Sequence, residues 1–138
     1  MKQLVSLFVL FAAMAIANPG QAQEKAKWTE MEAFHQVMSQ TFHPSEEGKL
    51  EPIRSRSQEM VNAAISWKNS TAPAGYDKGM VNKSLGKLVK GAKKVNALVK
   101  KNASDKEIKE ELSDLHNVFH QIVEKCEKGD GAESEHKM

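Results

Sequence analysis

Four stretches of this chain carry buried-type residues alternately three and four positions apart, the spacing of an α-helix with one inward stripe. The first runs Trp28, Met31, His35, Met38, Phe42. The second runs Ile53, Ser57, Met60, Ala64, Trp67, and the third Val81, Leu85, Leu88, Ala92, Val95, Val99. The fourth runs Ile108, Leu112, Leu115, Phe119, Ile122, Cys126. No stretch alternates with the period of two that a half-buried strand requires. Helices of this length do not persist alone in water, so the four stripes must bury one another. With three short connections between them, the expected fold is all-α: an antiparallel up-down-up-down four-helix bundle.

Local signals place the helix ends. The first helix is expected over about Trp28 to Phe42, with Thr29 and Glu32 as a capping box and His43-Pro44 as its stop. The second begins near Pro52, a residue suited to the first helical turn. Asn69 to Gly75 is a loop rich in Ser, Thr, Pro and Gly. The third helix is expected from about Asp77 to Lys101, closed by Asn102. Ser104 and Glu107 make a second capping box for the fourth, and Gly129 is its natural stop.

The chain has 138 residues, and both ends lie outside the bundle. Residues 1–22 read as a signal peptide. Lys2 supplies the positive start, Leu4 to Ile16 the apolar run, and Gly20-Gln21-Ala22 the small-residue cleavage site. The run is short for a membrane span. The mature protein is therefore expected in the periplasm or outside the cell, with no membrane association after cleavage. Residues 23–128 are the expected bundle, and 129–138 a polar, disordered tail.

Composition excludes several roles. Twenty basic and 18 acidic side chains leave little net charge, so no general attraction to nucleic acid is expected. Cys126 is the only cysteine. It can form no internal disulfide, and without a Cys-x-x-Cys-His motif no c-type haem can be attached. As a small apolar residue Cys126 belongs in the core. No spacing identifies a nucleophile with its base, and no glycine loop suits a phosphate, so the chain reads as a non-enzyme.

The residues that carry chemistry are histidines. His116 and His120 stand four apart, one turn above the other on one helix face, rotated toward the edge of its apolar stripe. Met31 and His35 form a similar pair on the first helix. If the first and last helices lie antiparallel, Met31 faces His120 and His35 faces His116, and one thioether and three imidazoles meet. That set suits a bound transition metal, copper above others, or low-spin haem iron. His43, with Glu46 and Glu47 beyond it, reads as a separate histidine interacting with the C-terminal helix dipole.

Met31-Glu32-Ala33-Phe34 and Asn117-Val118-Phe119-His120-Gln121 resemble the segments that carry the axial ligands of the periplasmic four-helix-bundle cytochromes, the cytochrome b562 and cytochrome c-prime superfamily. The resemblance spans roughly Trp28 to Lys128. It implies haem b, with Met31 and His120 as axial ligands, and a role in electron transfer. The b-type member has arginines one turn either side of the axial histidine, where this chain has His116 and Glu124. Those two residues, with His35, suit a directly bound metal. Gly86 or Gly91 would leave room for a haem ring, or would serve close helix packing.

The alternative is a cofactor-free helical interaction or envelope-stress protein, whose histidines only pack or sense pH. Lys83, Lys87, Lys90, Lys94 and Lys101 form a basic stripe on the third helix, a solvated face or a docking surface for an acidic redox partner.

Overall fold

The computed structural model describes residues 27–126. The signal peptide and the C-terminal tail expected from the sequence lie outside them. The order is α1 (Thr29–Glu46), α2 (Glu51–Asn69), α3 (Lys78–Lys100) and α4 (Asp105–Lys125). Each helix packs along its sequence neighbours, and α1 closes the ring against α4. The α1–α4 seam is the least extensive of the four. No helix among the described residues is long and apolar enough to cross a membrane.

Particular contacts fix the antiparallel directions. Ser57 near the start of α2 donates to Asn96 near the end of α3 at 2.8 Å. The Asp77 N–H, just before α3, bonds the Cys126 carbonyl just after α4. Arg54 ties the α3–α4 turn to α2 through the Ala103 carbonyl and the Asp105 carboxylate.

The stripes of α2, α3 and α4 are buried as their spacing predicts, save Val99, which is partly exposed. Cys126 is buried too. The first helix differs. Its inward face is Phe34, Val37, Met38, Thr41 and Ser45, while His35 is exposed and Met31 and Phe42 are only half-buried. The reason is that Thr41 and Ser45 can enter a core. The Thr41 hydroxyl donates to the Val37 and Met38 carbonyls and the Ser45 hydroxyl to Phe42, so neither is buried unpaired. His35 therefore sits beside the core rather than in it.

The ends of α1 also correct the reading. Trp28, not Thr29, holds the N-cap position, and no side chain caps the helix. Trp28 is instead pinned by burial, by its indole N–H donating to Ser70 at 2.8 Å, and by edge contacts with Trp67 and Tyr76. At the other end Pro44 lies inside the helix. One missing N–H does not stop a final turn that is closed from beyond. The Lys49 N–H bonds the Pro44 carbonyl and the Gly48 N–H bonds Ser45. Gly48, at φ 81°, supplies the left-handed residue this Schellman closure needs.

Both ends of α3 and the start of α4 match expectation, and Gly129, the expected stop of α4, lies outside the described residues. Asp77 caps α3 by accepting from the Met80 N–H. Asn102, at φ 55°, closes it with the same pair of bonds. Ser104 and Glu107 form the reciprocal capping box of α4.

At the end of the bundle holding the α1 N-terminus, Phe34, Trp67 and Phe119 meet one another with centroids 5.6–5.9 Å apart. All three are buried. Trp67 Nε1 has no hydrogen-bond partner, so this cluster is held by area and ring contact rather than by polar pairing.

The two helical glycines of α3 separate by their surroundings. A Cβ on Gly91 would lie 2.9 Å from the Leu115 Cδ1, whereas one on Gly86 meets nothing within 4 Å. Gly91 thus lets α3 approach the buried Leu115. We expect Gly86→Ala to raise the unfolding free energy by about 0.5–1 kcal/mol through helix propensity. Gly91→Ala should gain less than Gly86→Ala, because the buried Leu115 must shift to admit the methyl group. Urea unfolding of the two variants beside the parent checks the pair.

Candidate metal centre

The histidines gather where α1 meets α4, about halfway along the seam. Two flat stacks crossing that seam set their positions. The ring of Phe42 from α1 lies on the His116 ring at 3.9 Å and 5° between planes. The ring of Phe119 from α4 lies on the His35 ring at 5.1 Å and 16°. Each helix thus offers a phenyl face to an imidazole of the other, which restricts ring tilt.

On α4 the two imidazoles converge. The Nε2 atoms of His116 and His120 are 3.1 Å apart, with the rings nearly perpendicular at 79°. Without a metal, one nitrogen must donate and the other accept. The His120 Nδ1 lies 3.7 Å from the Glu124 carboxylate. That contact favours the proton on Nδ1 and leaves the Nε2 lone pair directed at His116. His120 is about half exposed, with 49% of its side-chain surface accessible; His116 is less so.

Burial and the neighbouring imidazoles disfavour the charged form of His116. Its pKa is held below the ordinary 6.5, first by burial, then by the neighbouring imidazoles of His120 and His43 and, more weakly, of His35. The Glu46 carboxylate acts in the opposite sense. His116 is therefore neutral at pH 7, the state a metal ligand needs.

The arrangement suits a chelate. Two nitrogens 3.1 Å apart, each about 2.0–2.1 Å from one ion, subtend about 95–102° at it. That angle lies between square-planar and tetrahedral values, so the pair can share one ion once the proton between the nitrogens leaves and the rings turn toward it. As folded, no three or more His, Cys, Asp or Glu side chains among the described residues are gathered closely enough to hold a metal. An ion held by this pair alone would be bound through two donors, with its remaining positions left to water or to a side chain that turns inward.

Met31 is not placed as its spacing suggests. Its sulfur lies 4.0 Å from the Tyr76 hydroxyl, on the side of the loop before α3. With His35 level with Phe119, one turn back along α1 brings Met31 level with about Val123, one turn beyond His120. Likewise Phe42, not His35, lies over His116. The expected pairings are thus displaced by about a turn, because the inward face of α1 is set by Phe34 rather than by the Met31 stripe. His43 and Glu46 lie in the last turns of α1, next to the Phe42 that covers His116. The signal for them was the extra helical turn through Pro44. Glu46 is eleven residues from His35, or three turns plus about 20°, so it lies on the same row of α1.

A haem held by Met31 and His120 does not fit this packing. The interior beside them is filled by Phe34, Trp67 and Phe119, the Met31 sulfur is turned to Tyr76, and Glu124 stands where a propionate would need a cation. A cleft of about 650 Å³ lies at the far end of the bundle, lined by Pro44, Gly48, Leu50, Arg54 and Asp105 among others. Its Arg54 and Asp105 charges already pair at 2.7 Å.

The chain was compared with protein-family models, with curated proteins and with solved structures, and nothing matches it. The likeness to the four-helix-bundle cytochromes rests on the two short segments alone.

A lowered His116 pKa carries a sign for stability. Below pH 6.5 the unfolded imidazole takes up its proton first, so stability falls as pH drops through the folded pKa. We expect the parent to lose more stability than His116→Gln between roughly pH 6.5 and 5. Denaturant unfolding at each pH checks this, and parallel curves for the two proteins would contradict it.

Proposed function

We propose that this is a transition-metal-binding helical bundle whose ion sits between His116 and His120, on the α1–α4 seam, and that it handles the metal without catalysing a reaction. The observation that carries the reading is the 3.1 Å separation of the two Nε2 atoms. Two imidazoles on successive turns of a capped helix form a ready chelate, since the backbone has already fixed their spacing. His35 stands across the seam with its ring stacked on Phe119. Met31 stays with Tyr76 and drops out of the donor set.

Loss of the thioether removes the soft ligand, so nitrogen chemistry decides the metal. Among divalent ions at nitrogen sites copper binds most tightly, and Cu(II) is the favoured occupant. Half-exposure and open coordination positions suit an ion that is acquired and passed on rather than locked away. Export by the N-terminal signal sequence would place the protein in the periplasm, where metal is met before the cytoplasm. The cofactor-free interaction protein is the outcome left if no metal binds.

Calorimetric titration of the purified chain with Cu(II) and Zn(II) tests the proposal. We expect one ion per chain, with Cu(II) the tighter. His116→Ala and His120→Ala should each weaken binding by about 10-fold or more, while Met31→Leu leaves it unchanged. Absence of binding by the parent would overturn the proposal. A Soret band on reconstitution with haem, lost in Met31→Leu, would replace it with the cytochrome reading.

A further inference from the structure

We infer that the last turn of α1 supplies a second chelate to the same ion, with the His43 imidazole and the Glu46 carboxylate completing a site of three nitrogens and one oxygen. The inference rests on the metal reading above and names ligands that reading does not use.

Position argues for it first. His43 and Glu46 are three apart in one helix, so they rise on adjoining turns as His116 and His120 do on α4. The His43 ring is 5.8 Å from the Phe42 ring, and the Phe42 ring is 3.9 Å from His116. Those two steps bound the distance between the His43 and His116 rings. The His35 ring is instead committed to the face of Phe119, at 5.1 Å and 16° between planes.

Freedom argues second. Both side chains are exposed. Neither makes a hydrogen bond or ion pair among those between described residues that would have to be broken, apart from the edge contact of His43 with Phe42. The backbone beneath them is firm, because the Gly48 closure holds the Pro44 and Ser45 carbonyls. The two side chains can therefore swing on a fixed base, at the cost of a rotamer change. As folded, the four donors are not yet gathered, so closure accompanies metal binding.

Chemistry argues third. Two neutral imidazoles leave a divalent ion with its full charge at the protein surface. One carboxylate halves that charge and supplies the hard donor that both zinc and Cu(II) accept beside imidazole. Binding would also join α1 to α4 along the seam that is otherwise the least extensive.

The test is Cu(II) titration with paramagnetic resonance on the full mature chain and on His43→Ala, Glu46→Gln and His35→Ala. All three positions are exposed, and circular dichroism checks that each variant is folded. Three coordinated nitrogens are expected in the parent and two in His43→Ala. Affinity should fall by about 10-fold or more in His43→Ala and by a smaller factor in Glu46→Gln, with His35→Ala within about 2-fold of the parent. If the parent binds Cu(II) but His43→Ala keeps its affinity and nitrogen count, the second chelate is refuted and the α4 chelate stands. If His35→Ala alone loses a nitrogen, the third ligand is His35 and the inference is wrong. If the parent binds nothing, both the inference and the reading beneath it fall.

Discussion

Burial of Phe34 sets how α1 is turned, and the turn of α1 decides what meets α4. Phe34 enters the interior against Trp67 and Phe119, removing large apolar surfaces from water at about 25 cal/mol per Å². Val37, Met38, Thr41 and Ser45 follow it inward on the same face. That rotation leaves His35 and Phe42 at the edge of the core, facing the seam. From there they take up the stacks with Phe119 and His116. Were the Met31 stripe inward instead, His35 would be a core residue and the histidines of α4 would face only solvent.

The seam shows how a site can form at the margin of a bundle whose centre is full. The interior is packed with aromatic and aliphatic side chains, Phe34, Trp67 and Phe119 among them. Polar donors are instead displaced to the least extensive helix pair. There they stay accessible, and their rings are oriented by phenyl faces rather than by hydrogen bonds to the core. Such support fixes ring tilt while leaving the ring nitrogens free.

Much of this was legible in the residues. The α2, α3 and α4 stripes, from Ile53 to Cys126, read directly because their inward positions are apolar or small. The edge position of His116 and His120 followed from their angle to the α4 stripe. Helix α1 misled because two of its buried positions are Thr41 and Ser45, whose hydroxyls bond their own helix and so look polar in sequence but enter the core without penalty. Pro44 misled for a related reason. Its missing N–H stops a helix only if nothing else closes the turn, and Gly48 closes it. Together they turned the Met31 stripe inward in the sequence reading and ended α1 before Glu46, which the structure keeps in the helix. The stacking of Phe42 on His116 depends on tertiary register, which no local pattern specifies.

X-ray absorption at the metal edge, on protein loaded with one equivalent of Cu(II), tests the central claim most directly. The account predicts a first shell of nitrogen and oxygen at about 2.0 Å with the outer scattering of imidazole and no sulfur. A sulfur scatterer near 2.3 Å would return Met31 to the site and contradict the placement of α1. A spectrum showing only water oxygens would contradict the chelate itself.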